Sequence, residues 1–569
     1  MGAYAGRPSR GGTAGSGFHQ QQGLLCYTSV VWRGVREIKK VPLGEKVSHP
    51  AIPCFVPLSV PLDWVAAHFP RSKPRVPSRV KILKKRSLWM SASAALIVAM
   101  VLAGCGKSYY FAGRTLPPSG LLNRVLIAIQ NPNAASTGAL QFVDAYYDIR
   151  YSYDYKIPAF QISGYKANLP LTIQNLPEEQ VGAVYASGDG SLRTVSYAQE
   201  KAGSPVEGLI NGASSSVFVT RNGAYVIAAS QSAHVLTVTG PAAGGSYGLS
   251  LPGVYRVSVN PGGSVALAFV QNSNYVYYPM KLTTQQKVAY AGGPANWPVA
   301  AMDCEPRAAP NFCLFQAQSP DHVDATGTHY GAPLTFDRPV KAIFSSDGST
   351  AYILNCGPEC GGSTASVTPL PIGPMIFING QATGILPTTS TLASSTINIP
   401  GGASNALVDA STMYIVGQQP QQVQGQTLFG GNLTVLNLQN NSVSAPISVS
   451  DGAPGAMSRI LQADDNTLWI GMTKCTNGVR SATGEPYGCL TMYNTVTNTV
   501  TLLESYRGDL TGIAAVTGLH KIYVAEGGQV YIFSTVDGLE KNNQFVAVTG
   551  TASDVAYMDG LTDANNTVY

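Results

Sequence analysis

The sequence predicts an all-β fold: a β-propeller of seven or eight blades, closed by pairing of its N- and C-terminal strands and preceded by a lipoprotein signal peptide. Two observations after residue 120 predict the propeller. Short β-branched and aromatic runs recur between clusters of Gly, Asn, Asp, Ser and Pro, with no long amphipathic helix among them. The runs also return at the interval of a four-stranded blade.

Each repeat reads as strand, turn, strand, then a third strand. PLTIQNLPEEQVGAVYASGDGSLRTVSY (170–197), SVFVTRNGAYVIAASQSAHVLTVTG (216–240) and VYRVSVNPGGSVALAFVQNSNYVYYPMKL (254–282) superimpose in this way. So does PVKAIFSSDGSTAYILNCGPECGGSTASVTPL (339–370). First strands beginning near 170, 216, 255, 339, 405, 457, 511 and 553 give intervals of 46, 39, 84, 66, 52, 54 and 42 residues. The short intervals fit one blade, and the long ones a blade plus an inserted loop. The turn between the first two strands is rich in Asp, Asn and Gly, as at Ser346-Asp347-Gly348 and Asp465-Asn466. These residues tolerate the left-handed backbone of tight hairpins. The last unit, SDVAYMDG, supplies little more than a first strand, and RVLIAIQ (124–130) with ALQFVDAYYDIR (139–150) supplies the strands it lacks. A blade shared by both chain ends would shut the ring and remove exposed edges.

Pro339 to Leu354 (PVKAIFSSDGSTAYIL) and His520-Lys521-Ile522-Tyr523-Val524 resemble the YVTN-type repeats of bacterial surface β-propellers. The stretch Asn355-Cys356-Gly357-Pro358-Glu359-Cys360-Gly361-Gly362 is similar to one found in exported propellers of acidobacteria. The resemblance covers about 170–560 and implies a propeller at the cell surface. It implies no catalytic residues.

Residues 81–105, KILKKRSLWMSASAALIVAMVLAGC, have a basic start, an apolar core from Ala94 to Leu102 and small residues before Cys105. That layout is a secretory signal rather than a membrane span. Leu102-Ala103-Gly104-Cys105 resembles a lipobox, which implies cleavage before Cys105 and lipidation of that residue. Gly106 after it fits outer-membrane delivery. The resulting organisation is a leader at 1–79, a signal peptide at 80–104, a lipidated tether at 105–120 and the propeller at 121–569. The leader is either a disordered extension or a segment upstream of a true start at Val80 or Met90, of which Val80 is preferred because it keeps the basic region before the apolar core.

Charge divides at the same boundary. Residues 1–104 carry 15 Lys/Arg and three acids, whereas the remainder carries 21 basic and 28 acidic groups, a net −7. An acidic folded part argues against a phosphate-binding surface and against nucleic acid as partner. Beyond Cys26, Cys54 and Cys105, six cysteines form local pairs: Cys304/Cys313, Cys356/Cys360 and Cys475/Cys489. In an exported chain this spacing reads as disulfides, with the nearest-neighbour scheme the simplest of the 15 connectivities that six cysteines allow. Cys356 and Cys360 could instead help to hold a metal.

Motifs for chemistry are sparse. Gly244-Gly245-Ser246-Tyr247-Gly248 matches a hydrolase nucleophile pattern but lies between strand and turn, without the helix that pattern needs. Asp321, His322, Asp324 and His329 cluster in an inserted loop and are weak candidates for a metal site. Asp464-Asp465 reads as turn chemistry and Arg507-Gly508-Asp509 as a chance tripeptide. Tyr275, Tyr277 and Tyr278 read as blade-packing residues. No cofactor is expected. The expected function is that of a non-enzymatic cell-envelope lipoprotein, held to the membrane by its lipid anchor and facing the periplasm or the cell surface. Its propeller would bind or scaffold a protein, glycan or envelope component, with insertions 291–338 and 371–404 enlarging one face. The alternative is an exported propeller enzyme, lactonase-like or another hydrolase, with its site at the central channel mouth.

Overall fold

The computed structural model describes residues 116–561, except 132, 134–136, 150–159, 208, 210–213, 326, 328, 377–381, 424–425, 451–455, 474–488 and 504–506. The expected leader and signal peptide, with Cys105 and Cys475, lie outside the described residues.

Eight antiparallel sheets form a β-propeller. Blades 1 and 2 span Pro170–Pro205 and Ser216–Ser250. Blades 3 to 5 span Val254–Gln316, Pro339–Asn398 and Asn405–Ser448, and blades 6 and 7 span Ala456–Leu503 and Leu510–Val546. In each of these the first strand in sequence starts the sheet. Blade 3 has five strands, because the chain folds back after Val276–Lys281 into an added outer pair, Ala301–Glu305 and Phe312–Gln316.

Blade 8 joins the two ends of the chain. Thr551–Tyr557 is its inner strand, Arg124–Gln130 pairs with it, and Ala139–Asp144 lies outside. The Gln141–Gln161 bridge supplies a remnant of a fourth strand. The middle strand, RVLIAIQ, is a continuous apolar run because both of its faces are covered. Side chains alternate across a strand. Val125, Ile127 and Ile129 pack against Val516, Tyr523 and Ile532 of blade 7, while Leu126 and Ala128 pack against Ile173 and Val184 of blade 1. Blade 6 repeats the arrangement, with Leu468, Ile470 and Met472 facing blade 5 and Trp469 facing blade 7. Each such aliphatic side chain contributes about 1.5–3 kcal/mol on burial. Tyr277 and Tyr278 fill the cores on the two sides of blade 3, as expected of packing residues.

Polar ties reinforce the closure. The buried Arg124 donates to Glu200 Oε1 (2.8 Å) and Asp559 Oδ1 (2.7 Å), and to the Tyr197 carbonyl. The guanidinium thereby links blade 8 to the end of blade 1 and to the chain just after the last strand. Lys521 of blade 7 donates to Asp148 and the Ala145 carbonyl, which follow the Ala139–Asp144 strand.

The hairpin turns behave as their residues dictate. Asp465 and Asn466 both take positive φ (61° and 55°), and the Thr467 amide donates to the Asp464 carbonyl, giving the left-handed turn that suits strand twist. Asp464 and Asp465 also accept from His520, which ties this turn to blade 7.

The first and third strands of a blade run from one face of the ring to the other, and the second and fourth return. The two large insertions therefore fall on opposite faces, contrary to the expectation that both enlarge one. Residues 317–338 continue from the returning strand Phe312–Gln316 and sit where the inner strands start. Residues 372–396 leave the far end of Ser366–Pro371, where Ile372 pairs with Ser349, and bury Met375, Leu386 and Leu392 against blade 3.

Candidate functional site

The starts of the inner strands converge on a cavity of about 520 Å³ at the channel mouth, to which all eight blades contribute. Its position follows from a repeated backbone irregularity. In six blades the inner strand carries a register shift near its start that leaves one residue unpaired: Leu171, Tyr255, Val340, Ser458, Thr511 and Ser553. Such bulges bend the strand and re-aim the side chains beside them. The residues that follow the bulge are Thr172, Arg256, Lys341, Arg459, Gly512 and Asp554. Three of these six equivalent positions are cationic.

Arg459 is partly compensated. Its Nε donates to the Thr511 carbonyl at 3.1 Å, and a terminal nitrogen lies 3.8 Å from Asp554 Oδ1. Asp554 is fully buried and accepts from the amides of Ile173 (2.8 Å) and Val555 (3.0 Å), so it also joins blades 8 and 1. Gly512 lies between Arg459 and Asp554 in the ring. A Cβ there would fall on Asp554 Oδ1 and lie 2.8 Å from the Val555 nitrogen.

Arg256 and Lys341 have no carboxylate partner among the described residues. Arg256 donates weakly to the Val340 carbonyl (3.4 Å) and lies over the Tyr255 ring at 5.6 Å. Lys341 is 2% exposed, and its ammonium donates to Asn405 Oδ1 at 2.7 Å. Burial, followed by the fields of Arg256 and Arg459, pushes that ammonium well below the ordinary lysine range. Thr172, Ser216, Ser404 and Thr511 complete much of the polar wall, and among the described residues the lining contains no Asp, Glu, His or Cys.

The rim above this cavity is built by blades 4 and 5. The hairpin Thr412–Val423/Gln426–Asn437 runs on past Val416, which pairs with Asn405 at the start of the inner strand. It therefore projects from the channel-mouth face. Its base is held by Glu359, which accepts from the Gln418 amide (3.0 Å) and side chain (2.9 Å). Glu359 lies in the short turn closed by the Cys356–Cys360 disulfide.

Cys304 and Cys313 are also bonded, across the added outer pair of blade 3. Cys489 is disulfide-bonded, and Cys475, its expected partner, lies outside the described residues. These bonds point to an oxidising, extracytoplasmic compartment.

The other sequence candidates lie elsewhere. His322 and His329 belong to an exposed two-stranded hairpin in which His322 pairs with Tyr330 and Val323 with His329. Asp321 accepts from Ser319 beside it, and Asp324 follows the first strand. Among the described residues no group of three or more His, Cys, Asp or Glu is placed to share a metal ion. Gly248 begins to pair within the strand Tyr247–Ser250, so the Gly-x-Ser-x-Gly match has no helix after it. Arg507 pairs with Glu540 and stacks on Tyr531 at 3.9 Å, a packing role within blade 7.

The cationic mouth was missed at the level of sequence. The net −7 of the folded part argued against phosphate binding, but it averages over a surface and hides a local cluster. A signal existed in the aligned repeats. VYR, PVK, MSR and ASD place a charged residue at one shared offset in otherwise apolar first strands.

No family model and no curated protein matches this chain. Solved structures resemble it distantly. Dihydro-heme d1 dehydrogenase NirN shares 11% identity at a TM-score of 0.41, covering 78% of this chain and 79% of that one. A candidate 6-phosphogluconolactonase of Bacteroides uniformis shares 11% at 0.35, covering 76% and 99%. AztD of Citrobacter koseri shares 9% at 0.37, covering 76% and 97%. At these values the likeness reaches no further than the fold, and the propeller assignment rests on the sheets themselves.

Proposed function

We propose that this protein is a lipid-anchored binding protein of the cell envelope, whose ligand enters the channel mouth of the propeller. The observation that supports this reading most is the cavity itself. It draws residues from every blade, holds two cations, Arg256 and Lys341, that no carboxylate among the described residues matches, and has the volume of a small-molecule site. Its lining offers donors for holding a ligand and, among the described residues, no imidazole or carboxylate for moving protons, which favours binding over hydrolysis. The disulfides and the lipobox-like Leu102-Ala103-Gly104-Cys105 support the envelope placement.

The test is ligand retention. The full chain in detergent is incubated with a small-molecule extract of envelope and medium, re-isolated, and the retained compounds are read by mass spectrometry. Leu171 lines the mouth and is 38% exposed, so Leu171→Trp narrows the entrance. Retention lost in Leu171→Trp supports the reading. Equal retention in both proteins overturns it, and chemical conversion of a retained compound favours the hydrolase alternative.

A further inference from the structure

We infer that the channel mouth is an oxyanion site, in which Lys341 and Arg256 hold a carboxylate or phosphate group of a small molecule. The inference rests on the proposed binding role and names the ligand's chemistry. Lys341 lines the cavity at 2% exposure with one described hydrogen bond, to a neutral amide oxygen. An ammonium has three donors, so two remain for a ligand. Arg256, at the equivalent position of the adjacent blade, offers a planar fork that matches carboxylate and phosphate oxygens. Its described protein partners are one carbonyl and one ring.

A buried cation without a counter-charge is costly, and proteins normally pair it or neutralise it. Here two neighbouring blades each place a cation at the same offset after a bulge, Lys341 buried and Arg256 half-buried. Arg459, two blades further round the ring from Lys341, already has Asp554 close by, so the positive field is strongest on the Arg256–Lys341 side. A bound anion would supply the missing charge. The same contrast separates small anions from polymers. Residues 105–569 carry a net −7, so a long polyanion meets repulsion over the surrounding surface, whereas a compact anion enters a local cationic well of about 520 Å³.

Calorimetry on the full chain in detergent tests this, with inorganic phosphate and citrate as the two anionic probes and glucose as the neutral control. Binding of at least one anion, weakening with added salt, is expected, with no heat from glucose. Strength in phosphate alone or citrate alone identifies the favoured group. Lys341→Met and Arg256→Gln should each weaken that binding about tenfold or more. Lys341→Met removes a buried charge and Arg256→Gln a half-buried one, so failure of one variant to fold leaves the other as the test. Absence of heat with both anions, or unchanged affinity in the folded variants, overturns the oxyanion assignment. Retention of an extract compound that Leu171→Trp abolishes but Lys341→Met and Arg256→Gln leave unchanged would refute the assignment and leave the binding role standing.

Discussion

Removing Arg124 should loosen the junction between the chain ends by an amount the geometry bounds. The Arg124 side chain is 3% exposed and bridges Glu200 and Asp559, whose side chains are 8% and 12% exposed. Deleting one partner of a buried ion pair typically costs about 3–5 kcal/mol, because the other charge is left without compensation. Two features move Arg124→Met toward the lower end. Glu200 still accepts from the Ser119 amide (3.0 Å) and hydroxyl (2.5 Å), and Asp559 still accepts from the amide of residue 124 (2.7 Å). About 3 kcal/mol, roughly a hundredfold in the folding equilibrium, is therefore expected. Urea unfolding of the full chain, followed by tryptophan fluorescence and circular dichroism, reads the change. Adding Glu200→Gln and Asp559→Asn to Arg124→Met should recover most of the loss, since the orphaned charges disappear with their partner. A single-variant loss under about 1 kcal/mol, or a triple variant no better than the single, would refute the claim that this guanidinium clasps the ring.

Other outcomes follow from the same geometry. Lys341 is held below the unfolded lysine value of about 10.4, so between its folded pKa and that value the unfolded chain binds the extra proton and stability rises with pH. The groups facing it are Arg256, Arg459 and the neutral Asn405. Unfolding at several pH values from neutral to mildly alkaline should show that rise in wild type and a flatter profile in Lys341→Met; parallel profiles would contradict it. Gly512→Ala should destabilise by about 1–3 kcal/mol through overpacking against backbone as well as the Asp554 carboxylate, and a neutral result by thermal unfolding would show that Asp554 has room to move. Cys105→Ser should release the protein from membranes into the soluble fraction on cell fractionation, and full retention would contradict the lipid anchor.

The ring was legible in the sequence because its inner strands recur as apolar first strands followed by turn-forming residues. Strands expected to start near 170, 216, 255 and 339 start at Pro170, Ser216, Val254 and Pro339. RVLIAIQ disclosed the closing blade for a physical reason: a strand buried on both faces cannot alternate with polar residues. The count of eight needed the structure, because the outer strand of blade 8 is reduced to the bridge at Gln161. Which face an insertion joins depends on whether it follows an outgoing or a returning strand, and segment 291–338 hides an added strand pair that sets this. The candidate site was least legible. Arg256, Lys341 and Arg459 are far apart in sequence, and only a bulge at the same offset in separate blades brings their side chains to one mouth.

Anomalous diffraction from crystals of the full chain soaked in selenate, an oxyanion visible through its selenium, would locate an anion at the channel mouth. A selenium peak is expected in the channel mouth within hydrogen-bonding reach of Lys341 Nζ and the Arg256 guanidinium, absent in Lys341→Met crystals soaked identically. A mouth without a peak while selenate occupies other surface sites, or a peak that persists unchanged in the variant, would contradict the oxyanion assignment.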